Sequence, residues 1–305
     1  MNMKKAYIEQ VKILLQVLPN IQSHPNFALK GGTAINLFIR DLPRLSVDLD
    51  FSYAPIADRK TSLEDINHIA NTIVADLKRK YPNFHIALRK TADGYIYQII
   101  IQQDIAAIKI DINHIIRGSV FPCQTVELCQ QAQREFRVFC EANVLSFEDL
   151  YAGKICAALD RQHPRDFFDI KHLLDKEGLS EKLIDAFVVY LISHNRPIHE
   201  LLEPHLHAFE ETFEKEFQGM AFEDISYADL FISAQQLLNE LPRKLTDLHR
   251  EFLISFIRLE PKWDALNQSH ISQLPAVKWK LLNLNRLSNE KREQQLRLLE
   301  NTFVL

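Results

Sequence analysis

The feature that most constrains this chain is a pair of adjacent glycines, Gly31 and Gly32, in a glycine-poor sequence. The 305 residues include only 7 glycines, and glycine loses more conformational freedom on folding than any other residue. The pair follows the apolar residues 27–29 and precedes residues 34–39, whose apolar spacing is helical. A helix that begins at such a turn presents unpaired backbone N–H groups and a partial positive charge. The pair therefore predicts a binding site for an anion such as a phosphate.

Two carboxylates follow in an apolar run that predicts a strand. Asp48 and Asp50 alternate with Val47, Leu49 and Phe51. Because residues two apart in a strand point to the same side, the two carboxylates share one face. Like charges this close repel each other unless a cation lies between them, and carboxylates are the ligands that Mg²⁺ or Mn²⁺ prefers. A phosphate site beside a divalent cation is the minimum needed to transfer a phosphoryl or nucleotidyl group.

A third acid, Asp111, lies in the predicted strand 106–113 among Ile108, Ile110 and Ile112. On its own, such an acid is typical of a strand end or a turn. Together with the first two carboxylates it suggests a shared metal site, since three acids from neighbouring strands can hold divalent ions. The third can also position or deprotonate an attacking hydroxyl.

The order of predicted elements indicates an α/β (α+β) domain with a mixed sheet, followed by an all-helical C-terminal domain. We place the first domain at residues 1–135 and the second at 136–305. The first is expected to contain helices over 3–18, 34–39 and 61–80, the last opened by a Thr61–Glu64 capping box, and strands over 27–29, 47–51, 84–90, 95–101 and 106–113. The second is expected to contain helices over 147–159 and 165–174, with later breaks near Pro197, Gly219, Pro242, Pro261 and Pro275.

Composition narrows the class of protein further. Hydrophobic residues make up 47% of the chain and charged residues 25%, which is typical of a soluble globular protein. There is no apolar run long enough to span a membrane and no basic-then-apolar leader, so we expect a cytoplasmic protein. The four cysteines have no C-x-x-C spacing, which favours reduced thiols over a zinc site.

The net charge of −4 does not by itself favour a nucleic-acid partner. Basic residues are nevertheless concentrated in residues 278–297. This segment could follow a phosphate backbone, with Trp279 stacking on a base, or it could form an ordinary solvated helix face.

The order strand, Gly-Gly-Thr, helix, strand with Asp-x-Asp resembles the polymerase β-like nucleotidyltransferases. It is most similar to the AbiEii/AbiGii toxin family, bacterial nucleotidyltransferases encoded together with antitoxins. The residues that carry the resemblance are 29–34, 44–51, 110–112, and the later segment 150–169 with Lys154, Ala158, Arg161, Arg165, Asp166 and Asp169. They span residues 27–174, and the C-terminal third is not covered.

The resemblance implies a role for each matching residue. Metal binding is expected from Asp48, Asp50 and Asp111, and catalysis from these three together with Lys154. Segment 145–175 would complete the active site. Substrate binding is expected from Lys30, Gly31, Gly32, Thr33, Ser46, Arg161 and Asp166, with the Thr33 hydroxyl donating to a phosphate.

Two of these residues also have simpler interpretations. Lys154 could be an ordinary surface lysine. Asp166 could cap the helix that follows Pro164, or it could hold Lys154 or Arg161 in place.

The activity implied by the resemblance is metal-dependent transfer of a nucleoside monophosphate from an NTP. The acceptor would be RNA, such as the 3′ end of tRNA, in a toxin–antitoxin or phage-defence system. Its partner would be a separately encoded antitoxin. Two alternatives remain open at this point: a nucleotidyltransferase acting on small molecules such as antibiotics, and a non-catalytic interaction protein with the same fold.

Overall fold

The computed structural model describes residues 3–303, with side chains from Lys5 onward. It divides into two compact units, which we call the sheet unit and the helical unit. The sheet unit comprises the chain up to Leu150 together with Gln218–Asp224, and the helical unit comprises Tyr151–Phe217 and the chain from Ile225 onward. The predicted division at residue 135 is therefore wrong by about one strand and one helical turn, because residues 141–144 still pair within the sheet.

The sheet unit is built on a seven-stranded mixed sheet in the order β3-β4-β5-β2-β1-β7-β6. The pairs β2–β5 and β1–β7 are parallel and the remaining pairs are antiparallel. The strands are β1 Phe27–Lys30, β2 Asp48–Tyr53, β3 His85–Lys90, β4 Ile96–Gln103, β5 Ala106–Asn113, β6 Gln124–Glu127 and β7 Glu141–Val144. The predicted mixed sheet is confirmed, and β2 lies near its centre.

Thirteen helices are described between residues 3 and 303. Those beginning in the sheet unit are α1 Met3–Gln22, α2 Gly31–Ala34, which continues as a π-helical turn Ile35–Ile39, α3 Arg59–Lys80, α4 Gln130–Phe136 and α5 Phe147–Arg161. The helical unit contains the rest of α5 and then α6 Pro164–Lys176, α7 Glu181–Ser193, α8 Ile198–Leu202, α9 Glu210–Thr212 with a π-helical turn Phe213–Phe217, α10 Tyr227–Lys244, α11 Asp247–Ile257, α12 Pro275–Arg286 and α13 Asn289–Thr302. Within the described residues, no helix combines the length and the apolar character needed to cross a membrane.

One face of the sheet is covered and the other is open along β3, β4 and β5. In β5, Ile108, Ile110 and Ile112 are at most 3% exposed, whereas the alternate residue Lys109 is exposed. The covering layer is helical, since α1 packs on β5 and β7 and α3 packs on α1 and β4. The period-2 alternation of β5 thus separates a hydrophobic core from a polar face. We call the uncovered side of β3, β4 and β5 the open face.

Local caps fix the start of α5 and the end of α6. Ser146 caps α5, with its Oγ accepting from the N–H of Asp149 at 3.0 Å, and Gly178 ends α6 with φ +68°. All four cysteines are free thiols.

One local prediction is wrong and another is confirmed. The N-cap of α3 is Asp58, whose carboxylate accepts from the N–H of Thr61, because the helix begins two residues before the expected capping box. The predicted break near Pro242 is present, since α10 ends at Lys244 and α11 begins at Asp247. Pro242 occupies the last turn of α10, where the loss of one backbone hydrogen bond is tolerated.

Candidate active site

Four polar residues form a row across the centre of the sheet. Lys30 on β1 pairs with Asp50 on β2, Asp50 pairs with Asp111 on β5, and Asp111 pairs with Gln98 on β4. Residues opposite each other on adjacent strands point to the same side of a sheet, with strands about 4.8 Å apart. The register therefore brings two carboxylates from different strands to neighbouring positions on one face.

The carboxylate of Asp111 lies in an unfavourable electrostatic environment. Burial raises the pKa of Asp111, and the nearby charge of Asp50 raises it further. Gln98 Nε2 donates to Asp111 Oδ1 at 2.6 Å, and the ammonium groups of Lys109 and Lys30 also oppose the rise. The net direction of the Asp111 pKa is upward, because burial and the charge of Asp50 outweigh these opposing contacts.

Lys109 is a member of this site that the sequence analysis missed. The register places it opposite Asp48, and it lies two residues before Asp111, so all three residues share a face. The signal was available in the alternation of β5, where Lys109 and Asp111 interrupt the isoleucines in phase. Gln98 was not identifiable in this way, because its place depends on the register of a hairpin partner.

The two glycines permit close approach of the backbone to charged side chains. Gly31 has φ +71°, and a β-carbon there would lie 2.5 Å from Asp50 Oδ2. A β-carbon on Gly32 would lie 2.8 Å from a guanidinium nitrogen of Arg44 and 3.0 Å from Ser46 Oγ. Both positions thus have a steric reason for glycine besides the anion-binding role that the sequence predicts.

The hydroxyl of Thr33 is used inside the protein. Thr33 is 0% exposed, and its Oγ1 hydrogen-bonds to the carbonyl of Asp48 and, at 3.0 Å, to Ser46 Oγ. These contacts connect the turn after β1 to the first residue of β2. The predicted hydrogen bond from this hydroxyl to a phosphate does not fit the structure, because the group is buried and already paired. Ser46 is also buried, at 8% exposure.

Arg44 anchors the segment that leads into β2. Its side chain is only 2% exposed, and Nη1 donates to the carbonyl of Leu45 at 2.9 Å. Residues 218–224 pair with this segment through an antiparallel bridge between Arg44 and Ala221. The N–H of Leu45 also donates to the carbonyl of Met220 at 2.9 Å. This short bridge fixes the backbone shortly before the first catalytic candidate, Asp48.

The three carboxylates suit a divalent cation whose coordination is completed by the substrate. Across residues 3–303, no three His, Cys, Asp or Glu side chains converge closely enough to hold a metal ion by themselves. Magnesium, however, commonly binds through one or two carboxylates plus substrate phosphates and water. Asp50 and Asp111 in register, with Asp48 on the same face, offer hard oxygen donors of that kind. The residues present therefore fit the predicted ion.

A second charged cluster lies within the helical unit. Lys154 on α5 is 6% exposed and forms ion pairs with Asp166 at 2.8 Å and Asp169 at 2.9 Å on α6. Arg161 binds the same Asp166 through Nε and Nη2 at 2.6 and 2.8 Å. Burial alone would raise the pKa of Asp166, but the two cations outweigh it and hold that pKa well below its usual range.

These contacts decide between the interpretations of Lys154 and Asp166 that the sequence left open. Lys154 is not a surface lysine. Asp166 does not cap α6, since the cap is His163, whose Nδ1 accepts from the N–H of Arg165. The prediction that Asp166 holds Lys154 and Arg161 in place is confirmed by the ion pairs.

The basic C-terminal helix α12 is not a simple row of exposed cations. Lys280 is 8% exposed, and its Nζ donates to the carbonyls of His194, Asn195 and Arg196. Trp279 beside it is 48% exposed. Lys280 therefore satisfies the end of α7 and is removed from the set of phosphate ligands that the charge pattern suggested.

A mixed sheet with register-paired carboxylates beside a glycine turn is the arrangement expected of a nucleotidyltransferase. The family model described as "Nucleotidyl transferase AbiEii toxin, Type IV TA system" matches residues 12–281. The chain belongs to this family of toxins from type IV toxin–antitoxin systems, as its motifs indicated.

A solved structure agrees with this fold. The chain resembles MenT4, a nucleotidyltransferase toxin from Mycobacterium tuberculosis, with a TM-score of 0.58 and 16% sequence identity over 90% of this chain and 91% of that one. At this identity the likeness concerns the fold. No curated protein sequence gives a significant match.

Proposed function

We propose that this protein transfers a nucleoside monophosphate from an NTP to a hydroxyl of an RNA acceptor, with tRNA as the first candidate, and depends on Mg²⁺ or Mn²⁺. The observation that carries the proposal is the register pairing of Asp50 with Asp111, which places two carboxylates from adjacent strands on one face. The family supplies the reaction class and the expectation of a separately encoded antitoxin. Phage defence and a cytoplasmic location remain predictions.

Each residue of the site has a role in this proposal. Asp48, Asp50 and Asp111 would hold the divalent ion, which when bound neutralises phosphate charge and lowers the barrier to attack. The backbone N–H groups after Gly31 and the ammonium of Lys30 would orient the triphosphate.

The chemical step is an in-line displacement at the α-phosphorus. The acceptor oxygen forms a bond to this phosphorus, and the bond to the departing pyrophosphate breaks. The proton of the acceptor hydroxyl passes to the carboxylate of Asp111, the residue expected to position or deprotonate that hydroxyl. Alignment and charge neutralisation supply most of the acceleration.

The proposal leaves part of the predicted site without an assigned contact to substrate. Lys154, Arg161 and Asp166 are predicted from the family to bind or act on the substrate. In the structure they form ion pairs among themselves, which favours a role in which each positions the others. Their participation in substrate binding remains a prediction.

The decisive experiment incubates the purified protein with Mg²⁺, each of the four labelled NTPs in turn, and tRNA. We expect one or more nucleotides to be incorporated into tRNA. Asp50→Ala and Asp111→Ala should abolish incorporation, and removal of the metal by chelation should do the same. A matched control is Asp104→Ala, which removes an exposed carboxylate in the turn between β4 and β5.

The outcomes separate the alternatives. Full incorporation by the Asp50 and Asp111 variants would contradict the assignment of the site. Labelling of an aminoglycoside but not of RNA would identify a small-molecule nucleotidyltransferase. Absence of Mg²⁺-dependent NTP binding in the wild-type protein would identify a non-catalytic member of the fold.

A further inference from the structure

The open face of β3, β4 and β5 continues outward from the carboxylate site with a distinct chemical character. The register extends the row of Asp111 and Gln98 to Arg89 on β3. The next row, two residues earlier on β5, runs from Lys109 through Ile100 on β4 to Ala87 on β3. Arg89 on β3 and Lys109 on β5 therefore lie on either side of the neutral side chains of β4.

Beyond Asp111, the positive charge on this face is not balanced by acids on the same strands. The members other than Asp111 and Asn113 are His85, Ala87 and Arg89 on β3, Gln98, Ile100 and Gln102 on β4, and Ala107 and Lys109 on β5. None of the positions in this list carries a carboxylate. The whole chain has a net charge of −4, so the open face is a local exception to the overall balance.

The cations are accessible and spaced along the face. Arg89, Lys109, His85 and Gln102 are exposed. Arg89 and Lys109 lie two strands and one two-residue step apart, which corresponds to roughly 12 Å across the sheet. This spacing lets a chain of phosphates contact both cations at once while its end reaches the row of carboxylates.

We propose that the open face binds the phosphate backbone of the RNA acceptor and directs its end toward Asp50 and Asp111. This inference rests on the proposed RNA acceptor. A polyanion that approaches three carboxylates is repelled by them, and the cations on the adjoining strands offset that repulsion. The amide of the exposed Gln102 adds a donor for phosphate and sugar oxygens, which supplies position and not sequence.

Arg89 gives the cleanest test because it lies on the open face two strands from Asp111 and is exposed. The assay is fluorescence anisotropy of end-labelled tRNA at a series of KCl concentrations. We expect Arg89→Glu to weaken binding about fivefold or more and to lower the slope of log K against log salt by about one. Arg89→Lys should retain most of the affinity. The matched control is Lys78→Glu, which reverses an exposed charge on α3 and should change neither quantity.

A kinetic readout separates this inference from the proposed function. In the incorporation assay, Arg89→Glu should raise KM for tRNA without changing KM for the NTP. Circular dichroism melting checks that the variant remains folded, as expected for a substitution at an exposed position. If the wild-type protein incorporates no nucleotide into RNA, the proposed function fails, and the binding assay still decides the inference.

Two results would overturn the inference. One is an Arg89→Glu variant whose tRNA affinity and salt slope equal those of the wild-type protein. The other is no measurable binding of tRNA by the wild-type protein. If the open face binds an acidic protein in place of RNA, the wild-type protein should show no measurable binding of tRNA.

Discussion

The carboxylate of Asp50 lies so close to the backbone of Gly31 that a β-carbon there would fall 2.5 Å from Oδ2. The glycine turn and β2, which carries Asp50, are thus one steric unit. The conformation of Gly31, with φ +71°, adds a second reason for glycine, because other residues are strained in the left-handed region.

Gly31→Ala tests this steric unit. We expect loss of nucleotide incorporation, because the added methyl group displaces the Asp50 carboxylate, and a loss of about 1–3 kcal/mol in the free energy of unfolding. The control is Gly94→Ala, which has φ +86° but no heavy atom within 4 Å of the added carbon. It should lose stability and keep activity. Equal activity in both variants would contradict the steric argument.

Asp111→Asn should make the metal-free protein more stable at pH 7 while abolishing activity. Burial and Asp50 raise the pKa of Asp111 in the folded state, so the native protein retains a proton that the unfolded chain has lost. Stability contributed by this group therefore falls as pH rises from about 4 through the raised pKa. The variant removes that decline and keeps an acceptor for Gln98.

Thermal melting with and without Mg²⁺ measures this prediction. The wild-type protein should melt below the variant at pH 7 without metal, and added Mg²⁺ should stabilise the wild type only. A lower melting temperature for Asp111→Asn in metal-free buffer would show that the carboxylate is stabilised in its charged form.

Thr33→Val should reduce both stability and kcat. The substitution preserves shape but removes the buried hydroxyl that hydrogen-bonds to the carbonyl of Asp48 and to Ser46, which costs about 1–2 kcal/mol. Thr33→Ser should restore both quantities. Thr72→Val is a control on α3, where the hydroxyl bonds only within its own helix. Unfolding by urea and steady-state kinetics give the two measurements.

Lys154→Met should destabilise the helical unit strongly. It removes the cation shared by Asp166 and Asp169, whose side chains are both 0% exposed. Removing a buried cation that two buried carboxylates share costs about 3–5 kcal/mol. The exposed pair of Lys12 with Glu9 is the control, and Lys12→Met should cost less than about 1 kcal/mol. Similar urea midpoints for the two variants would contradict the difference.

Acid should weaken the same cluster. Because Lys154 and Arg161 hold the pKa of Asp166 below its unfolded value, its contribution to stability is complete above about pH 4. The contribution is lost as pH falls through the lower folded pKa. The urea midpoint of the wild type should therefore decline more steeply below pH 4 than that of Asp166→Asn, with the exposed Asp76→Asn as control.

The central strands and the class of site could be predicted because their signals are local. The alternation around Asp48 and Asp50, and around Asp111, fixes which side chains share a face within each strand. Pairing between strands is not local. That Asp50 lies opposite Asp111 in the parallel pair, and that Gln98 completes the row, depends on the sheet order and register, which no period in the sequence specifies.

Burial was equally hard to predict for single polar residues. Thr33 and Lys154 were expected to meet a substrate, yet the structure buries both and pairs them with protein groups. The spacing of a motif indicates which residues lie near each other, but not whether each polar atom faces the ligand or supports a neighbour. The boundary near residue 135 failed for a related reason, since β7 is recruited by pairing with β1.

The return of residues 218–224 to the sheet unit limits how this protein can be dissected. A fragment that stops at Leu150 would keep every strand but lose the bridge to Arg44 and the hydrogen bond to Leu45. Expression of the sheet unit alone would therefore require residues 218–224 to be grafted back, and a gene split after Leu150 would need fragment complementation to restore the bridge.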